Sequence, residues 1–310
     1  MSKPTAEISP ANRNVFVEHA YPELSVDLGE VTLSYVVAGS PANPALLLIP
    51  GQGHSWWAFE KAIAILEKDF QVYAVSLRGQ GRTTWTPRRY TIDNMGNDLV
   101  RFICLVIKRP VITSGCSSGG VVSAWLSAFA MPGQLRGAHY EDPPLFASET
   151  EPLYGHGIRQ AAAPFFGAHS KYLGDQWSIG AWSSMTAALR TVLPGLPLPD
   201  EPPQHAKEYD PEWARAFVEG TVARSCPHEL LLAQVKKPVL LTHHARGIDP
   251  KSGRLIGAMS DMQAEKVCEI VRGAGQSCEY VSLPDAPHIL HLMDPQRFAA
   301  VLTKWAKSLP

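Results

Sequence analysis

Gly115-Cys116-Ser117-Ser118-Gly119 is a G-x-S-x-G pentapeptide, and its setting gives the central serine chemistry to do. Ahead of it Val111-Ile112-Thr113 is β-branched and apolar, as a buried strand requires, and Val121 to Met131 carries the apolar spacing and alanines of a helix. Ser117 therefore sits on a strand-to-helix turn. Such a turn strains the central backbone, flanking glycines relieve the crowding, and the helix start aims N–H groups at whatever the hydroxyl attacks. A serine hydroxyl is a weak nucleophile at neutral pH and needs a base within hydrogen-bonding reach. Of the eleven histidines, His288 is the candidate, in Pro284-Asp-Ala-Pro-His288 just past the last expected strand, where a loop can carry it over the sheet edge. His291, three residues on, is expected to point elsewhere, and His243 and His244 stand at a strand end. The base in turn needs an orienting carboxylate, and the sequence offers two in the chain order serine, acid, histidine. Asp249 lies in the loop after the expected strand Pro238 to Thr242, and Glu141 lies at the tip of the strand that follows the nucleophile helix. Asp249 is preferred, because Glu141-Asp142-Pro143 serves equally well to cap the sheet edge and tie down the chain that follows.

The elements that must hold these groups alternate. Leu24 to Leu28 and Val31 to Ala38 flank Gly29 as a hairpin, and Ala45 to Ile49 is continuously apolar, as a strand covered on both faces should be. A helix from about Trp57 to Lys68, a strand Gln71 to Ser76, a helix from about Ile92 to Ile107, the strand into Ser117, its helix, and a strand Gly137 to Tyr140 follow. The fold class is α/β, a mostly parallel central sheet flanked by helices and entered through an antiparallel hairpin. Ligands of such sheets lie at the carboxyl ends of the strands, where Gln52 and Ser117 fall. From residue 143 the rhythm breaks. Helix-like pieces, Trp177, Trp182 and Trp213, and the proline-rich run Leu193 to Pro203 predict an inserted helical cap over 143–236, with the core domain formed by 1–142 and 237–310. The sheet resumes at Pro238, a helix opens at the capping box Ser260-Asp-Met-Gln263, a strand runs Cys278 to Leu283, and a helix closes the chain from about Pro295.

Composition narrows the partners. With 28 basic and 29 acidic residues the formal net charge is −1, so neither nucleic acid nor an acidic membrane surface is expected. Five scattered cysteines, at 104, 116, 226, 268 and 278, predict reduced thiols, and the start of the chain lacks an apolar run, so a cytoplasmic protein is expected. His243-His244 and His288-x-x-His291 lack further ligands at metal spacing, and the glycine turns 51–53 and 79–81 lack a complete dinucleotide fingerprint, so no metal or cofactor is expected. The partner expected is a small molecule; a homo-oligomer is left open.

Taken together, LLLIPGQGHS, AVSLRGQGRT, GCSSG, the post-strand Asp and APHILHLMDP resemble the α/β-hydrolase superfamily over nearly the whole chain outside the cap. The resemblance implies an oxyanion hole built from the backbone N–H groups of Gln52 and Ser118, although Pro50 stands where many members have His. GCSSG with Glu141 downstream looks like fungal zearalenone lactonases, which use a Glu there, whereas EDPPLF and THHARGIDP look more like bacterial hydrolases of monoalkyl phthalates and of zearalenone, for which an Asp after the later strand is implied. The expected activity is hydrolysis of a hydrophobic aromatic ester or macrolactone through an acyl-enzyme, with Trp177 and Trp182 as cap contacts to substrate. Arg246 is the nearest cation by position for a substrate carboxylate. A non-hydrolytic small-molecule receptor, a peptidase or a cofactor-free peroxidase on the same fold are the competing readings.

Overall fold

A computed structural model describes residues 17–173, 181–192 and 198–310. Alternation about Gly29 folds β1 (Leu24–Asp27) antiparallel to β2 (Thr32–Ala38), with Leu24 opposite Tyr35. β3 (Ala45–Ile49) and β4 (Gln71–Val75) run parallel to each other, and β4 also accepts β2 as an antiparallel neighbour. β5 (Val111–Cys116), β6 (Leu135–Glu141) and β7 (Val239–His243) continue the parallel run. The loop after β7 holds a small hairpin of β8 (Gly247–Ile248) and β9 (Leu255–Ile256), and β10 (Cys278–Ser282) closes the edge. The eight-stranded order is β1-β2-β4-β3-β5-β6-β7-β10, so β5, which delivers Ser117, lies inside the sheet.

Helices cover both faces. α1 (Glu60–Leu66), preceded by a 3-10 turn over Trp56–Phe59, joins β3 to β4; α2 (Ile92–Phe102) leads into β5, and α3 (Ser118–Phe129) leaves it. Among the described residues five helices interrupt the sheet between β6 and β7: α4 (Arg159–Tyr172), α5 (Trp182–Val192), α6 (Gln204–Lys207), α7 (Pro211–Glu219) and α8 (His228–Leu232), with α4 packed on α5 and α7. α9 (Asp261–Gly273), α10 (Leu290–Met293) and α11 (Pro295–Ala306) complete the chain. The sheet's period of two divides β3 between two apolar clusters: Leu47 and Ile49 join Leu99 and Phe102 of α2 on one face, Leu46 and Leu48 join Ile63 of α1 and Leu302 of α11 on the other. Each such side chain contributes roughly 1.5–3 kcal/mol on leaving water, which is why a strand buried on both faces reads as an unbroken apolar run. The expected capping box is present at the start of α9, with Ser260 and Gln263 bonded reciprocally.

Two boundaries differ from expectation in a way that bears on chemistry. The helix expected as far as Ile107 passes into a π turn over Ile103–Ile107. β6 outruns its expected end at Tyr140 by one residue, because Glu141 pairs with Cys116 of β5 and Thr242 of β7. Asp142 is therefore the residue just past the strand tip. Cys268 and Cys278 stand 3.3 Å apart, and all five cysteines are free. Among the described residues no helix is long and apolar enough to cross a membrane.

Candidate active site

Ser117 occupies the turn between β5 and α3 with φ 55° and ψ −122°, a strained conformation for a residue with a side chain. Neighbouring contacts determine it. The Ser117 N–H donates to the Glu141 carbonyl at 2.8 Å, and the Ser117 carbonyl accepts from Gly120 N–H at 2.8 Å. The glycines are required by space: a Cβ at Gly115 would lie 2.0 Å from the Gly119 carbonyl oxygen, and one at Gly119 would lie 2.5 Å from the carbonyl oxygens of Ile49 and Pro50. The β3 loop also comes close, since a Cβ at Gly51 would meet the Ser117 Cβ at 3.1 Å. Gln52, tied through its side-chain amide to Tyr209 OH at 2.7 Å, follows directly, and Ser118 begins α3, where a helix leaves its N–H without an intrahelical acceptor. Gln52, Ser117, Ser118 and His288 line one cavity.

The carboxylate that meets His288 is neither of the two expected. Asp142 Oδ2 accepts from His288 Nδ1 at 2.6 Å, while its Oδ1 accepts the His244 N–H at 3.0 Å. Asp142 is fully buried and sits at φ 43°, a left-handed position that aspartate tolerates better than most residues and that swings its carboxylate off the sheet edge. Burial raises its pKa, but the His288 hydrogen bond and the charges of His288 and His244 outweigh that and hold it below the ordinary aspartate value. The His288 imidazole is crowded by protein, which lowers its pKa, yet the bond to and charge of Asp142, with the charge of Glu141, raise it overall; 42% of its side-chain surface remains reachable. With Nδ1–H held by a carboxylate, Nε2 is left as the free base, the state that can take a proton from a hydroxyl.

Asp249 stands instead in the turn of the β8–β9 hairpin, where its carboxylate bonds the Ser252 hydroxyl and the Lys251 N–H. Its own short turn uses the acceptor capacity that the sequence reading assigned to His288. Glu141 points from β6 to the other face of the sheet, the face of His139, and receives the His291 N–H at 3.1 Å and Nδ1 at 2.8 Å. Burial opposes its charge, but the charge and hydrogen bond of His291, then the charges of His244 and His139, bring its pKa down to about 2. His291 does not point away: it lines the same cavity from its edge while bonding Glu141. Alternation from His139 was the signal for Glu141; for Asp142 it was the single further residue by which β6 extends.

The cavity measures about 260 Å³, and Ile92, Val121, Ile158, Phe166, Phe217 and Val222 give it a largely apolar wall. α4 and α7, from the stretch expected as the cap, supply Phe166 and Phe217. Trp177 lies outside the described residues. Trp182 is buried in the apolar cluster, donates Nε1–H to the Pro199 carbonyl at 3.3 Å, and is not part of the cavity wall. Arg246 is committed elsewhere, to Asp261 at 2.7 Å, to Ser282 and to the carbonyls of His243 and His244. Its place near the sheet edge is as expected, but Asp261 of α9 draws it outward. Among the described residues the permanent cation in the wall is Arg159, which was not singled out from the sequence; it donates to the carbonyls of Phe217 and Val218 at the end of α7. Among the described residues one group, Cys116, Glu141 and His291, brings possible metal ligand atoms within 4.8 Å. It suits a metal poorly, because burial pushes the Cys116 thiol well up and a metal needs the thiolate, while Glu141 and His291 already satisfy each other.

A sequence model described as the alpha/beta hydrolase family matches residues 46–301. Among curated proteins, 3-oxoadipate enol-lactonase 2 of Acinetobacter baylyi is 26% identical over 98 residues, 32% of this chain and 37% of the relative, so the match spans about a third of that protein's length. Among solved structures, E-2-(acetamidomethylene)succinate hydrolase superposes with a TM-score of 0.67 at 17% identity over 93% of this chain and 100% of the other. The enol-lactonase of Burkholderia xenovorans gives 0.63 at 15% identity over 92% and 100%. At those identities the superpositions establish a shared fold.

Proposed function

Because the chain belongs to the alpha/beta hydrolase family, we propose that it cleaves carboxylic esters through an acyl-enzyme on Ser117, with His288 as base and Asp142 as the acid that orients it. The observation that carries this reading is the 2.6 Å bond from buried Asp142 to Nδ1 of His288, which lines the same cavity as Ser117. His288 Nε2 takes the hydroxyl proton as Ser117 Oγ attacks the ester carbonyl. The N–H groups of Gln52 and Ser118 receive the oxyanion, and the proton then passes to the departing alkoxide. Water, deprotonated by the same imidazole, attacks the acyl group and regenerates Ser117. The lactone and ester chemistry in the names of the similar enol-lactonases supports the reaction class.

The substrate class follows from the walls. A cavity of about 260 Å³ exceeds the ~150 Å³ that holds a benzene ring, and phenylalanine side chains on two helices favour an apolar or aromatic group. A neutral aromatic ester or macrolactone of zearalenone type is proposed ahead of a monoalkyl phthalate. The phthalate needs a cation for its free carboxylate, and Arg159 already donates to two carbonyls at a helix end. The cavity wall argues against the receptor reading only through its chemistry: a strained serine beside a carboxylate-held imidazole has no use in passive binding. Turnover of resorcylic lactones, phthalate monoesters and short acyl esters by the purified protein tests the proposal. Preference for acetyl esters over every aromatic substrate would sink the substrate assignment, and no turnover of any ester would sink the reaction.

A further inference from the structure

His228 is the first residue of α8 and lines the same cavity as Ser117, yet nothing in the proposed reaction uses it. Its side chain is completely buried. The Phe146 N–H donates to its Nδ1 at 2.9 Å, so Nδ1 must carry a lone pair, and in a neutral imidazole the proton then resides on Nε2. Burial keeps the ring neutral by bringing its pKa down to about 4. The backbone N–H of His228 is held separately by Glu149 at 3.1 Å, which leaves the ring one remaining donor. That donor, Nε2–H, has no hydrogen-bond partner among the described residues, although it lies on the ring edge opposite the Phe146 contact and the residue lines the cavity. A buried N–H without an acceptor costs roughly 1–3 kcal/mol, so a fold that fixes both the tautomer and the orientation of this ring and then leaves its donor unpaired in the wall of a cavity is prepared for an acceptor from outside.

We propose that the Nε2–H of His228 is a substrate-recognition donor, binding a neutral acceptor oxygen, such as a ketone or phenol, that the substrate carries away from its scissile ester. Resting as it does on the ester-hydrolase reading, the proposal adds a polar feature to an otherwise apolar substrate. A neutral oxygen fits better than a carboxylate, because burial keeps the ring uncharged and the Glu149 carboxyl group, 3.8 Å from Nδ1 across the ring, disfavours a second carboxylate at Nε2. Arg159, the one permanent cation among the wall residues named above, belongs to a different helix, α4, and donates to the carbonyls of Phe217 and Val218.

The test compares p-nitrophenyl octanoate with the p-nitrophenyl esters of 5-, 6- and 7-oxooctanoic acid, whose ketones lie too far from the ester to activate it, with each rate divided by that ester's rate of spontaneous hydrolysis. The readout is the ratio of kcat/KM for each oxo ester to that for octanoate, in the wild type and in His228→Asn. Asparagine keeps an oxygen near the Nδ1 position for the Phe146 N–H while removing the Nε2–H, so a purely structural role for His228 survives the exchange. At least one oxo ester is expected to exceed octanoate about five- to tenfold in the wild type, the ratio a hydrogen bond of ordinary strength supports, and to fall to near one in the variant. Ratios that are the same in both proteins overturn the proposal. Should His228→Asn fail to fold, the wild-type ratios decide: a position-dependent preference upholds it, and ratios near one throughout overturn it. If the wild type turns over none of the esters, the hydrolase reading falls and takes this inference with it, an outcome distinct from turnover without preference.

Discussion

Replacing Asp142 by Asn removes the charge that holds His288 while keeping shape and volume. Asp142 has two acceptor duties, to His288 Nδ1 at 2.6 Å and to the His244 N–H at 3.0 Å. An amide has one oxygen. If that oxygen stays with His244, the NH2 group faces Nδ1, which must then accept, so the proton moves to Nε2 and His288 can no longer take a proton from Ser117. In a protease triad the same exchange lowers turnover about 10⁴-fold with the geometry intact, and a loss of that order is expected here. The pH profile moves as well. Asp142 supplies the hydrogen bond and the larger of the charges that raise the His288 pKa. The wild-type acid limb of kcat/KM should therefore lie above the ordinary histidine value of ~6.5, and the variant's residual activity should lose its acid limb at lower pH. The assay is hydrolysis of p-nitrophenyl butyrate from about pH 5 to 9, with circular dichroism to verify folding. Asp249→Asn, in its exposed turn, serves as control and should stay within about twofold of wild type. Retention of more than about a tenth of wild-type activity by Asp142→Asn, or an equal loss in Asp249→Asn, refutes the assignment.

Glu141→Gln should act on stability. The folded pKa is depressed from 4.5 to about 2, so the carboxylate contributes stability above pH 4.5 that is lost as pH falls through about 2. That shift corresponds to about 3 kcal/mol, or roughly 5–10 °C in Tm near neutral pH; a change under about 2 °C contradicts it. Gly119→Ala places a methyl 2.5 Å from two backbone carbonyl oxygens that cannot step aside, so a loss of about 1–3 kcal/mol in denaturant unfolding is expected, and a neutral effect would show that the turn is looser than described. Arg246→Ala should leave monoalkyl phthalate turnover within about twofold, because its guanidinium serves Asp261, and Arg159→Gln should change phthalate and neutral-ester kcat/KM by factors within about threefold of each other, because its guanidinium is held by the carbonyls of Phe217 and Val218. A loss selective for phthalate in Arg246→Ala would return an anion site to the loop after β7, and one in Arg159→Gln would place it in the cavity wall.

The sheet and the turn that bears Ser117 were legible because they depend on local signals. Ala45–Ile49 is apolar throughout since helices cover both of its faces, and Gly115 and Gly119 are glycines since backbone oxygens occupy the space of a Cβ. His288 was legible from its place after the last strand. The acid was not, because the choice between Glu141 and Asp142 depends on where a strand ends: one more paired residue turns Glu141 under the sheet toward His291 and leaves Asp142 at the tip. Asp249 had the right position in the chain, but Lys251 and Ser252, two and three residues away, claim its carboxylate in a turn that no periodicity announces. The cavity wall was the least legible. Trp182 looked like a ligand contact and is core, while Arg159 and His228 looked ordinary, since packing between separate helices decides which side chains face the open space.

The claim that a nucleophilic Ser117 is activated by His288 is tested most directly by titrating the wild-type protein with a fluorophosphonate ester and locating the adduct by peptide mass spectrometry. One phosphonyl group per chain, on Ser117, with esterase activity lost in proportion and labelling abolished in both Ser117→Ala and His288→Ala, is the predicted result. Labelling of another residue, or full ester turnover by a protein whose Ser117 is blocked, would contradict it.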